Sequence, residues 1–254
     1  MRLFRNPFKT ERIPPTTPPD SRVYAIGDVH GRLDLLLDLL ARIEADRRSR
    51  PCTNERVVFL GDLIDRGPHS CGVLQLLARN QAHLPDPVFL MGNHEEMLLR
   101  VLGTDQESIF DWLSFGGYEF AESYGIDVDA FETADAATVA RMIRAVVPER
   151  DLAFVARFED SFRFGDYLFV HAGIKPGIAL EDQKAADMRW IREAFLDSRV
   201  HHPAFVIHGH TISTTPDERD NRIGIDTGAY ASGILTAICL EGTERRYITA
   251  QRPG

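Results

Sequence analysis

The chain has 254 residues, 44% of them hydrophobic and 26% charged, with a formal net charge of −9. That length and apolar content suffice for a buried core in one α/β domain, and the acidic balance argues against a nucleic-acid partner, so any anionic ligand must meet a locally positive site. The cysteines Cys52, Cys71 and Cys239 are too scattered for a disulfide framework or a thiolate metal site, and no apolar run has the length of a membrane span or a signal core, so a cytoplasmic location without a membrane partner is expected.

Residues 1–20 contain Arg2, Arg5, Lys9, Arg12 and the run Pro14-Pro15-Thr16-Thr17-Pro18-Pro19, which reads as a flexible leader ahead of one domain over 21–254. A short apolar run at 23–26 ends in Gly27-Asp28-Val29-His30-Gly31, and residues 33–45 follow with leucines at helical spacing. The run at 57–60 ends in Gly61-Asp62-Leu63-Ile64-Asp65-Arg66-Gly67, with a helical segment around 71–78. The run at 88–91 ends in Gly92-Asn93-His94-Glu95, and residues 95–102 again have helical periodicity. Strand, polar loop and helix, three times over, predict a layered α/β fold with its site at the carboxyl ends of strands.

Residues 103–157 carry no such polar cluster. Segments 107–124 and 136–147 have helical periodicity, with Gly116-Gly117 interrupting the first, so the stretch is expected to be a helical insertion or cap, either scaffold or a shaper of access. Residues 161–164 and 167–170 flank Gly165-Asp166, a hairpin signal, and the second run ends in His171. The run at 204–207 ends in His208-Gly209-His210, that at 222–225 in Asp226-Thr227-Gly228, and the runs at 234–240 and 245–249 form a closing hairpin.

Asp28 and His30 alternate with Val29, so in an extended segment both reach one cation. Asp62 has two oxygens with which to bridge two cations, Asn93 offers an amide oxygen, and His171 and His210 offer imidazoles. A lone Asp after a strand is usually a cap or turn residue. Five ligand-bearing strand ends in one chain favour metal. Oxygen and nitrogen ligands without thiolate suit manganese, iron or zinc, and ligand chemistry alone does not choose among them; manganese is the metal expected. Two divalent ions about 3.5–4 Å apart activate a bridging water for in-line attack at phosphorus, a displacement that arginines assist by neutralising the phosphoryl oxygens. His94, beside Asn93, is the candidate donor of a proton to the leaving group. Asp65 is the candidate to orient it, and Arg66 and Arg192 are the candidates to clamp phosphate. His208 is expected to point away and act structurally. Asp226 either orients a ligand imidazole or ends a turn, and Glu95 and Glu96 suit a helix N-terminus.

These strings, in this order, resemble the phosphoprotein phosphatase family of calcineurin-like metallophosphoesterases. Phe169-Val170-His171-Ala172-Gly173, Arg189-Trp190-Ile191-Arg192-Glu193, Gly209-His210-Thr211 and Ile225-Asp226-Thr227-Gly228-Ala229 resemble its bacterial and phage-lambda-type serine/threonine phosphatase branch. The resemblance implies an α/β four-layer sandwich, two mixed β-sheets flanked by helices. It implies one metal on Asp28, His30 and Asp62, a second on Asp62, Asn93, His171 and His210, an acid pair of His94 and Asp65, and phosphate contacts from Arg66 and Arg192. The implied substrate is a phosphorylated protein or small phosphoester. The related symmetrical diadenosine tetraphosphatases commonly lack Asp at the position of Asp65, so its presence favours phosphomonoesters, with dinucleotide hydrolysis the alternative. A non-catalytic metal-binding scaffold is disfavoured because every expected ligand, the acid pair and both arginines are present.

Overall fold

The computed structural model describes residues 13–252. β1 (Ser21–Ile26), α1 (Leu33–Ser49), β2 (Asn54–Phe59), α2 (Ser70–Asn80), β3 (Pro87–Phe89) and α3 (Asn93–Leu102) form the three expected strand–loop–helix units. The insertion supplies α4 (Ile109–Trp112), a wide turn at Leu113–Gly117, α5 (Tyr118–Ser123), α6 (Ala136–Val146) and α7 (Glu149–Val155). There follow β4 (Ser161–Phe164), β5 (Tyr167–Val170), α8 (Ala185–Trp190), α9 (Glu193–Leu196), β6 (Phe205–His208), β7 (Asp217–Glu218), β8 (Arg222–Gly224), α10 (Ala229–Ser232), β9 (Ile234–Glu241) and β10 (Glu244–Gln251).

The strands build two mixed five-stranded sheets, ordered β10-β9-β1-β2-β3 and β4-β5-β6-β8-β7. β1, β2 and β3 run parallel, as do β5, β6 and β8, so their carboxyl ends gather at one edge of each sheet. Period-two alternation sets the layers. Val23 and Ala25 of β1 meet Tyr167 and Phe169 of β5 in the core between the sheets. Tyr24 and Ile26 face outward to α1, α2, α3 and the insertion helices. Leu168 and Val170 face the opposite way, onto Met188 and Phe195 of α8 and α9. Both sheets are thus covered on both faces, the four layers implied by the resemblance.

Two of the expected segments can be placed in more detail. Residues 1–12 of the expected leader lie outside the described residues, while the stretch from Pro15 is held. Tyr167 donates its hydroxyl to Pro15 O (3.0 Å), Thr16 N–H bonds Asp166 Oδ2 (3.0 Å), and buried Thr17 donates its N–H to Gly242 O (3.1 Å). The insertion is no detached cap, because Ile109, Trp112, Phe120, Val139, Ile143 and Phe154 belong to the same buried cluster as α1 to α3. Among the described residues no helix is long and apolar enough to cross a membrane.

Candidate metal centre

The loops after the strands are latched to one another before any side chain is considered. Asp62 C=O accepts the N–H of Val29 (3.0 Å) and His30 (2.9 Å), and Leu63 C=O accepts that of Gly31 (2.9 Å). The Asp28 carboxylate accepts the N–H of His210 at 3.0 and 3.2 Å, which ties the first sheet's loops to the second's. A Cβ at Gly92 would overlap Asp62 Oδ1 and one at Gly209 would overlap Asp28 Oδ1, so glycine is needed for the approach. His30, Asp62, Asp65, Arg66 and His210 all have positive φ, between 43° and 69°. Such backbone is unfavourable for a residue with a side chain and persists where surrounding bonds enforce it.

Two compact groups result, each with its ligand atoms within 4.8 Å of one another: His30, Asp62 and His94, and Asp62, His171 and His210. Donor chemistry tests whether cations fit. His171 gives its Nδ1–H to Leu60 O (2.8 Å), which turns Nε2 toward Asn93 Oδ1 at 3.0 Å, His210 Nδ1 at 3.1 Å and Asp62 Oδ2 at 3.4 Å. His30 likewise gives Nδ1–H to Ile64 O (2.8 Å), and its Nε2 lies 3.7 Å from Asp62 Oδ2. Imidazoles oriented by backbone carbonyls, with Nε2 atoms turned on a shared carboxylate, form a donor set for divalent cations that displace any proton held there. Asp28 is not in either compact group, but its carboxylate is buried beside them.

Electrostatics points the same way. Burial, then the charge of Asp226, holds the Asp28 carboxyl well above its ordinary range. Burial raises the Asp226 carboxyl to about 6. Burial also opposes ionisation of Asp62, yet the surrounding His171, His94 and His30 pull it well below the usual value. Burial alone would depress His171, but Asp62 and Asp28 lift it to about 10. Buried carboxylates that repel one another and draw positive charge onto an imidazole are an environment that a cation relieves.

His94 Nδ1 donates to Asp65 Oδ2 at 2.7 Å, with both side chains buried. Burial works against the His94 imidazolium, but the charge of Asp62 and the bond to Asp65 raise its pKa overall. Arg66 spreads over the Tyr230 ring (4.9 Å) with NH1 3.5 Å from His30 Nε2. Arg192 is exposed and reaches Thr211 Oγ1 (3.3 Å) and His210 O (3.5 Å). All ten residues singled out as site candidates are thus brought to one edge. His208 points away, donating Nδ1–H to Gly209 O (3.0 Å) and accepting from Arg222 (3.3 Å). Asp226 accepts the N–H of Gly228 (2.8 Å), the turn role.

Three contributors escaped the sequence reading. Glu95, read there as a helix-terminus acid, also accepts the N–H of Asp62 (2.9 Å), Leu63 (2.7 Å) and Gly92 (3.1 Å). Tyr230 lies edge-on to His30 at 5.3 Å. Trp112, inside the insertion, donates to Asp65 Oδ2 at 2.9 Å. The only signal for the last was the Gly116-Gly117 break four to five residues away.

The chain belongs to the calcineurin-like phosphoesterase family, whose model matches residues 21–232. With the candidate ligand groups, that makes it a metallophosphoesterase of a dinuclear, metal-dependent family. It is 28% identical over 219 residues to serine/threonine-protein phosphatase 1 of Salmonella typhimurium, covering 84% of this chain and 89% of that one. It is 26% identical over 264 residues to a symmetrical bis(5'-nucleosyl)-tetraphosphatase of Methylobacillus flagellatus, covering 87% and 92%. A crystal structure proposed to be a diadenosine tetraphosphatase shares the fold with a TM-score of 0.64 at 20% identity, over 93% of this chain and 97% of that one.

Proposed function

We propose that this metallophosphoesterase hydrolyses phosphomonoesters, chiefly phosphoserine and phosphothreonine in proteins. In this reading Asp28, His30 and Asp62 hold one divalent cation, and Asp62, Asn93, His171 and His210 a second, with manganese the expected metal. The observation that carries the reading is the buried His94–Asp65 pair, 2.7 Å from nitrogen to oxygen. A serine or threonine oxygen leaves phosphorus as a strong base and needs a proton, whereas the phosphate oxygen of a nucleotide leaves as a weak base. With Nδ1–H committed to Asp65, His94 has Nε2 for that proton. The cations supply, when bound, an activated water at neutral pH and charge against the phosphoryl oxygens. Arg66 and Arg192 orient the phosphoryl group, the water oxygen bonds to phosphorus as the bond from phosphorus to the ester oxygen breaks, and that ester oxygen takes the proton from His94 Nε2.

The second reading, symmetrical hydrolysis of a dinucleoside tetraphosphate, is favoured by the similarity to a tetraphosphatase over most of both chains. Initial rates on a phosphoserine peptide and on diadenosine tetraphosphate, side by side with manganese, separate the two. Faster turnover of the peptide is expected. Turnover of the dinucleotide at least tenfold faster would replace the first reading by the second.

A further inference from the structure

We infer that Trp112 is a positioning residue for the His94–Asp65 pair and that the turn at Leu113–Gly117 exists to seat it. The inference rests on the acid role proposed above for that pair. Trp112 is buried, and its indole N–H donates to Asp65 Oδ2 at 2.9 Å. That is the same oxygen that receives His94 Nδ1–H at 2.7 Å, while Asp65 Oδ1 is buried without a partner among the described residues. Two donors converging on one oxygen fix the plane of the carboxylate, and the carboxylate in turn fixes the imidazole. His94 Nε2 is thereby directed into the site, 4.0 Å from Asp62 Oδ2.

The seat for the indole is built from both sides. A Cβ on Gly117 would stand 2.7 Å from Trp112 Cδ2, so the glycine lies flat against the ring, and Phe120 meets the ring edge-on at 5.6 Å. Gly116, at φ +115°, turns its carbonyl to accept the N–H of Arg66 (3.1 Å), and a Cβ there would come within 2.5 Å of that nitrogen. Phe115 O accepts Arg66 Nε at 3.4 Å. Asp65 and Arg66 are consecutive left-handed residues, at φ 69° and 67°, a conformation that needs outside bonds to persist. The insertion supplies those bonds to the backbone of one residue and the side chain of the other.

Trp112→Phe keeps the ring packing and removes the donor. On the manganese-loaded enzyme, kcat for a phosphoserine peptide is expected to fall roughly ten- to a hundredfold. For p-nitrophenyl phosphate, whose leaving group needs no proton, the change should stay within about threefold. His94→Asn should show the same dependence on leaving group, and Trp112→Phe should cost nothing further in that background. Equal losses on the two substrates, or additive losses in the double variant, overturn the inference. If His94→Asn itself fails to discriminate, the proposed function falls and takes the inference with it. If only Trp112→Phe fails to discriminate, the inference alone falls.

A second arm needs neither turnover nor a change at the tryptophan. The chain has two tryptophans, Trp112 and Trp190, hence two indole N–H resonances. In metal-free protein, Asp65→Asn is expected to move the Trp112 resonance and leave that of Trp190 in place. An unmoved Trp112 resonance overturns the contact.

Discussion

His94 links two carboxylates at once. Its backbone N–H bonds Asp62 Oδ1 (3.1 Å) and its ring bonds Asp65 (2.7 Å), so it stands between the two. It also lies with His30 and Asp62 in one of the two compact groups, which makes a ligand role the competing account. Asn at this position preserves the backbone bond and removes the transferable proton. Its kcat on a phosphoserine peptide should fall by about 10² to 10³ with metal per chain unchanged by elemental analysis. Loss of metal alongside activity would make His94 a ligand instead. Glu95 offers a second test. Its carboxylate takes three backbone N–H groups, two of them from the Asp62 loop. Glu95→Ala leaves those donors buried without acceptors, at a cost on the order of 3 kcal/mol in chemical denaturation. A stability equal to that of the parent would mean the clamp contributes nothing.

At the scale of elements, the loops matter more than the helices and strands they join. The turn at Leu113–Gly117 holds Arg66 by its main chain, and Gly116→Ala would drive a methyl group toward Arg66 N. The expected result is a KM for p-nitrophenyl phosphate raised about tenfold with metal content unchanged, since phosphate is bound by a displaced arginine. An unaltered KM would show that the turn does not set the arginine's position. The elements legible in the sequence were those with a local signal: runs ending in glycine and a ligand, leucines at helical spacing, and the turns at Gly165 and Gly242. β7 has two residues and α9 and α10 four each, too short for any period to show. The contacts that remained hidden join residues far apart in the chain. Trp112 lies 47 positions from Asp65, Glu95 lies 33 from Asp62, and Thr16 lies 150 from Asp166. His208 was expected to be structural and Asp226 to end a turn or orient an imidazole; the partners that define those roles, Arg222 and Gly228, were not legible. Periodicity reports which face of an element is buried. It carries nothing about which distant side chain meets a loop.

For the whole molecule, the two cation sites of the proposed function differ in what they span. Asp28, His30 and Asp62 all follow strands of the first sheet, so a cation there joins loops already latched by backbone bonds. Asp62 and Asn93 follow strands of the first sheet, whereas His171 and His210 follow β5 and β6 of the second, so a cation there ties one sheet to the other. Asp28 and Asp226 are both buried at this junction with their carboxyls held above the ordinary range, so without a cation their ionisation opposes its closing. Metal removal should therefore cost stability as well as activity. A ligand at a hundredfold excess over its dissociation constant adds about 2.7 kcal/mol per site. For a chain of this size that corresponds to roughly 5–10 °C in melting temperature. Chelator should lower the melting temperature by this much or more and abolish phosphate release, and manganese should restore both. On the proposed assignment His210→Ala deletes a ligand of the site between the sheets alone, so it should remove roughly half of the metal-induced rise and leave the remainder to Asp28, His30 and Asp62. A melting temperature indifferent to metal in the parent would mean that the two sheets close without cations, and the shared role of Asp62 would have to be abandoned.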